Sequence, residues 1–386
     1  MKTKLIPVIF LAVLFSAWAF ISLGQPASPK KSGEKPAVKP DKSTTSKDKK
    51  EKSKEPRITS KIRKAINKAL RYMSTRQNSD GSYGSSVRIA TTGLAGLAFL
   101  AGGHFPTRGQ YSSNVRKIVA YLLKTQGKSG FYYSPNDNSR IHGHGYAALF
   151  MSEVLGMLGD EDLQKEVKSS IEKAVRISIG SQTVDGGWGY VPDANTWDEG
   201  STTITQIQAL RAARDAGIKI NRRVIDRAIE YVHKCAMPTP YTDENGKTKT
   251  GYTFKYSLRY NSSRSTFPLT AAAASVLQGS GAYEDETLDG AIGWLKNYYL
   301  SGGTKYSNRS WGYGFYFYSH FYAMQVMWHS SNRNDWIRYY AKISNELVKR
   351  QRSNGAWNSR YGDIYGTAIA TMILAIPDRY LPIFLK

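Results

Sequence analysis

Two histidines separated by one glycine, His142 and His144 in RIHGHGYA, are the first residues of this chain whose type and spacing suit chemistry. At i, i+2 they diverge on a helix, whereas on an extended run leading into a helix they converge. Convergence would give a metal pair or an acid–base pair lining a ligand site; divergence would leave structural groups at a helix start. Three more candidates for catalysis are Asp198 in DANTWDEGSTT, His320 in YSHFY and Asp363 in SRYGDIYG. A carboxyl serves as general acid only within hydrogen-bond reach of its partner, so spacing leaves the pairings with His144 or His320 open. Asp198 and Glu199 equally suit a helix start, where a carboxylate accepts from free backbone N–H groups. The one cysteine, Cys235, excludes an intrachain disulfide and a multi-cysteine zinc site, and reads as a small buried apolar residue. No metal and no cofactor is expected.

The elements that would hold these groups are repeated. QNSDGSYG (77–84), QTVDGGWGY (182–190) and QRSNGAWNSRYG (351–362) share a Gln, a Gly turn and an aromatic. Read backwards, each follows a basic residue and an aliphatic stripe. A further copy runs from Lys117 through Gln126 and Gly130 to Tyr132, and two degenerate copies carry Ala236 and Tyr299 in place of Gln. Six copies at a period near fifty residues imply stacked supersecondary units. The first half of each is an amphipathic helix, with Ile62, Ile66, Leu70 and Met73, or Ile225, Ala228, Ile229 and Val232, on one stripe. The second half, as in TTGLAGLAFLAGG or YGTAIATMILAIP, is apolar or small around most of its circumference, as in a helix buried on several sides. Six outer and six inner helices close most simply into an all-α (α/α)6 toroid. In it Gln would bond backbone groups freed at the outer helix end, Gly would permit the turn, and the aromatic would wedge between units.

This pattern resembles the QW repeat of squalene and oxidosqualene cyclases and, more loosely, of protein prenyltransferase β-subunits, over residues 58–386. The resemblance implies a terpenoid cyclase-like toroid. It does not carry over the chemistry, because neither the Asp-x-Asp-Asp nor the Asp-Cys-Thr-Ala-Glu acid motif occurs, and Cys235 follows His233 rather than an Asp. Neither polyprene cyclisation nor zinc-dependent thiol prenylation is therefore expected.

The ends of the chain bear on compartment and partners. Lys2 and Lys4 precede an apolar run, Leu5 to Leu23, which reads as a signal peptide over residues 1–24 or as an uncleaved anchor. Residues 25–57 hold eleven Lys and Arg against five acids and almost no aliphatic side chains, the composition of a disordered tether. The expectation is an exported protein, periplasmic or extracellular, with association at a membrane surface and no nucleic-acid partner. About +16 of the formal +24 remains on the folded part, which favours a hydrophobic or anionic ligand.

Loop length points to one end of the ring. Connections such as GMLGDED are short, whereas 235–264, with an Asn245-Gly246 hairpin signal, and 298–319 are long. The site is therefore expected at the outer-to-inner end, lined by Trp197, Tyr252, Arg264, Trp311, Tyr313 and Tyr365. The ligand would be an isoprenoid, a peptide or a glycan in an aromatic-lined central cavity. Two enzymatic alternatives stand beside simple binding: a glycan-active lyase or hydrolase, and an unconventional terpenoid-processing enzyme.

Overall fold

A computed structural model describes residues 56–259, 265–281, 285–300 and 315–384. The signal segment, nearly all of the tether, and Arg264, Trp311 and Tyr313 lie outside the described residues. Among the described residues, twelve α-helices alternate between two layers. The outer ones are α1 (Ser60–Ser74), α3 (Ser112–Thr125), α5 (Glu161–Gly180), α7 (Arg222–Cys235), α9 (Glu286–Leu300) and α11 (Arg333–Arg350). The inner ones are α2 (Arg88–Ala101), α4 (Arg140–Leu155), α6 (Gly200–Asp215), α8 (Phe267–Gly279), α10 (Tyr316–His329) and α12 (Asp363–Ala375). Each inner helix packs on the next, and α12 packs back on α2, so the inner ring is closed.

The two layers follow from their sequences. In α1 the buried side chains are Ile62, Ala65, Ile66, Ala69, Leu70 and Met73, one stripe at helical spacing, while Lys61, Lys64 and Lys68 face water. In α2 every residue after Arg88 is buried. The stripe of α7 differs in detail from the expectation: Val224, Ala228, Tyr231, Val232 and Cys235 are buried, with Ile225 and Ile229 at its margin.

The repeat motif is a staple between units. Gln182 Nε2 donates to Gly186 O of its own turn and to Val224 O of the next outer helix, both at 2.9 Å. Gln77, Gln126 and Gln351 repeat the arrangement onto Asn114 O, Ser170 O and Ala65 O. The Gln351 bond joins the last unit to the first. The Gln amide thus bridges two units rather than capping only its own helix. Gly186 has φ 97°, and a Cβ there would lie 2.3 Å from Arg227 O, so both conformation and close approach require glycine. The aromatics are wholly buried, and Trp188 and Trp357 each donate Nε1–H to a carbonyl of their own outer helix.

In the fourth unit the staple is replaced by a hairpin. Strands β1 (Ala236–Thr242) and β2 (Thr248–Phe254) pair antiparallel around the expected turn, where Gly246 has φ 77°. The hairpin packs against α9, whose Gly290 and Gly293 leave room for Tyr252 and Tyr241. At the inner-to-outer end, the C-terminal turn reaches α4, with Ile383 N–H donating to Glu153 at 3.2 Å.

Candidate functional site

The outer-to-inner loops bring one polar row to the head of the inner ring. His142 at the start of α4 is 3.0 Å from Ser201 Oγ at the start of α6, and Ser201 Oγ lies 2.5 Å from Glu199 Oε2. The Ser201 hydroxyl therefore has two acceptors within reach, the carboxyl and the imidazole Nε2, and can relay a proton between them. Glu199 also caps α6, accepting from Thr202 N–H at 2.9 Å. Its other oxygen, Oε1, is buried with no hydrogen-bond partner among the described residues. Burial pushes the Glu199 carboxyl up to about 7, against the opposing hydrogen bonds from Ser201 and Thr202. Burial likewise brings His142 down to about 4, so its imidazole is neutral at physiological pH.

The third repeat sets this geometry. Trp188, locked in the inter-unit seam, offers its carbonyl to Glu199 N–H at 2.8 Å and to the Thr202 hydroxyl at 2.5 Å. Tyrosines surround the row. Tyr190 and Tyr256 share a hydrogen bond of 2.5 Å, and the Tyr190 ring lies 5.7 Å from that of His142. Tyr318 Oη reaches Ser201 O at 3.5 Å. Below, Tyr146 on α4 and Tyr322 on α10 meet at 3.1 Å across the ring, because those helices are three places apart in the closed order of six. Buried Tyr365 stacks its edge region near Tyr361, with ring centroids 5.1 Å apart. Tyrosine side chains thus occupy the ring at this level. The loops of the same end expose large apolar groups, Tyr133, Val191, Trp197 and Phe315, with Trp197 44% accessible.

The other candidates have structural surroundings of their own. His144 is a scaffold group: Nδ1 accepts from Tyr132 N–H at 3.3 Å and Nε2 meets Ala174 O at 3.1 Å. It occupies the place held by Thr92, Thr203 and Thr367 in other units, whose hydroxyls accept from the repeat aromatic's N–H. It points away from any pairing with His142. His320 is buried between layers, 3.1 Å from Tyr339 Oη and edged by Tyr299 and Tyr316, and burial holds it at about 3. Asp198 is fully buried and satisfied by Tyr231 Oη at 2.7 Å and Leu258 N–H at 2.8 Å, clamping the chain after the hairpin. Asp363 pairs with Arg352 at 3.0 Å on the rim. Tyr252 lies between the hairpin and α9 rather than at the ring mouth. Cys235 is buried and its thiol is pushed up to about 12 by burial. Of the expected groups, His142 lies in the polar row and Tyr365 is buried beside Tyr361, while Trp197 is exposed on a loop of the same end; the type and spacing of Glu199, Ser201, Tyr190, Tyr256 and Tyr318 do not single them out as site residues. Among the described residues, no group of three or more His, Cys, Asp or Glu is placed to hold a metal ion.

Fold and repeat together define an (α/α)6 toroid of the terpenoid cyclase-like kind. Residues 87–277 match the family model of the squalene-hopene cyclase C-terminal domain, in accord with the resemblance carried by the repeats. Among solved structures, an inactive variant of the GH76A alpha-1,6-mannanase of Salegentibacter sp. HEL1_6, in complex with alpha-1,6-mannotriose, superposes with a TM-score of 0.60. The identity is 9%, over 81% of this chain and 98% of that one. A variant of the type II terpene cyclase MstE from Scytonema, in complex with merosterolic acid A, gives 0.53 at 14% identity, over 83% and 98%. A D-mannose isomerase gives 0.51 at 13%, over 81% and 96%. At such identities the likeness is one of fold. No curated protein matches the chain by sequence.

Proposed function

We propose that this toroid, exported as its N-terminal sequence suggests, binds a glycan at the outer-to-inner mouth. The observation that carries the reading is the His142–Ser201–Glu199 row, a run of hydrogen-bonding groups among tyrosine hydroxyls, at the end of the ring whose loops expose Trp197 and Tyr133. Sugars need both features: polar groups that converge on hydroxyls, and aromatic faces for the apolar side of the ring. An isoprenoid would need an apolar channel, whereas the Tyr146–Tyr322 hydrogen bond crosses the ring beneath the row. The mannanase of the same fold, solved with a mannotriose, supports a glycan on this scaffold by analogy.

A second reading adds a reaction to the binding. A buried carboxyl whose affinity for its proton is raised is suited to protonate a bound glycosidic oxygen as that C–O bond breaks; water adds its hydroxyl to the anomeric carbon, and its remaining proton returns to the Glu199 carboxylate, with the Ser201 hydroxyl as a relay. Calorimetric titration against a panel of neutral and acidic oligosaccharides, with prenyl alcohols alongside, tests the first reading. Oligosaccharide binding that is lost in Trp197→Ala without a change in melting temperature is the expected result. Binding of a prenyl alcohol with no response to any oligosaccharide would overturn it.

A further inference from the structure

The charge of the folded part is not spread around the ring. Between Ile58 and Asn136 the chain carries twelve Lys and Arg against a single acid, Asp80, whereas residues 137–386 carry twenty-nine against twenty-four. Asp80 is itself engaged by Arg88 at 3.3 Å. On α1, Lys61, Lys64, Lys68 and Arg71 recur at three- and four-residue steps, and all four are exposed. That spacing puts them on one helical face. On α3, Lys117 and Lys124 are exposed in the same way, and neither α1 nor α3 contains an acidic residue. None of the six is engaged by a carboxylate among the described residues.

The two faces join. Gln77 beyond the end of α1 donates to Asn114 O at 3.0 Å, and Asn114 Nδ2 returns a bond of 2.7 Å to Gln77 Oε1 near the start of α3. Gly81 of the same turn rests against the backbone of Lys117. The C-terminal end of one basic stripe is thereby fixed beside the N-terminal half of the next. The two helices, of 15 and 14 residues, are each roughly 20 Å long at 1.5 Å per residue, so the joined faces make one extended basic band.

We infer that the outer face of α1 and α3 is a docking surface for an acidic polysaccharide, a chain bearing carboxylate or sulfate groups. Like charges at this density on exposed helix faces repel one another by a few tenths of a kcal/mol per pair at helical spacing, and a bound polyanion removes that repulsion. The shape favours a flexible polymer over a planar lipid surface, because the band follows the outside of a ring and a linear chain can follow it. It also carries no exposed large apolar side chain of the kind that anchors a helix in a bilayer, among the described residues. The choice of polysaccharide as the polymer rests on the glycan reading of the mouth; the band itself does not.

The test uses the full chain in affinity electrophoresis through gels containing polygalacturonate, dextran sulfate or neutral dextran. Wild-type protein should be retarded by the two acidic polymers and not by dextran, with retardation falling as salt rises. Lys61→Glu, Lys64→Glu, Lys68→Glu and Arg71→Glu combined should weaken retention at least about tenfold, since several exposed ion pairs are reversed at once. An equal charge reversal elsewhere, Lys219→Glu, Arg223→Glu, Lys247→Glu and Lys249→Glu, should leave most of it. The corresponding four-fold Gln variant of the α1 residues should fall between, and melting curves should show all variants folded. Unchanged retention of the α1 variant, or equal loss in both sets, would overturn the proposal, as would capture by phosphatidylglycerol vesicles with no retardation by polygalacturonate. Trp197→Ala, run in parallel, reports on the mouth: its loss of oligosaccharide binding with the band intact would leave the glycan reading standing while this one falls or stands on its own.

Discussion

Glu199→Gln separates the charge of the buried carboxyl from its hydrogen bonds. Glutamine keeps the shape, retains an acceptor for Thr202 N–H and stays neutral at every pH, so it mimics the protonated acid. In the wild type the folded protein holds this proton up to about 7, while the unfolded chain releases it near the ordinary value of 4.5. Between those values the folded state binds more protons than the unfolded one, so stability falls as pH rises through that window. Below about 4.5 both states are protonated and the loss is absent; above about 7 it is complete. A rise from 4.5 to about 7 corresponds to about 3 kcal/mol for a fully buried group. For a folded part of this size that is about 4 °C in melting temperature. Melting curves by circular dichroism, from pH 4 to pH 8.5, should therefore start together at the acid end and diverge, the variant becoming the more stable. His142, His144, His320 and Glu153 also titrate abnormally, yet they are common to both proteins and cancel in the difference. A difference independent of pH, or a variant less stable than wild type at pH 8, would refute the claim that this carboxyl is buried without full compensation.

The scaffold can be tested apart from the site. Gly186→Val places a β-branched residue at φ 97° with its Cβ 2.3 Å from Arg227 O, so it should lose at least about 3 kcal/mol from strain alone and melt several degrees lower. Trp188→Ala and Trp357→Ala each empty a fully buried seam and break an indole bond to the outer helix, for an expected loss of about 3–5 kcal/mol by chemical denaturation. A wild-type denaturation midpoint in either tryptophan variant would mean that the repeat aromatics do not hold the units together.

The ring was legible in the sequence because the information that builds it is local and repeated. A glycine forced to positive φ, a Gln four residues before it and an aromatic two after it recur as one short string, and every copy makes the same bonds. Where the string degenerates the structure departs with it. At Ala236 the staple gives way to the first residue of β1. At Tyr299 the Lys342 ammonium reaches the Tyr299 carbonyl, a bond the pattern alone did not announce. Tyr252 departs from expectation for a related reason: topology puts its loop at the mouth, but the hairpin packs over the small face of α9 left by Gly290 and Gly293.

The site was harder to read because its members are related by the direction in which the chain enters each inner helix. His144 is one residue type in a place where three other units use threonine. Its equivalence was hidden because the aromatic and its acceptor are 9, 12, 15 and 10 residues apart in the four units. Asp198 and Glu199 are adjacent and chemically alike, yet one turns outward to Tyr231 and the backbone after β2, while the other turns inward to Ser201. The antiparallel bridge from Trp188 to Glu199 decides between them, because it fixes which of two successive side chains faces the ring interior. A seam aromatic thus selects the inward-facing acid. It follows that scaffold and site are coupled at this one repeat, and that loosening Trp188 should disturb Glu199 while loosening Trp357, in the unit of α12 and three places from α6 in the closed order of six, should leave it where it is.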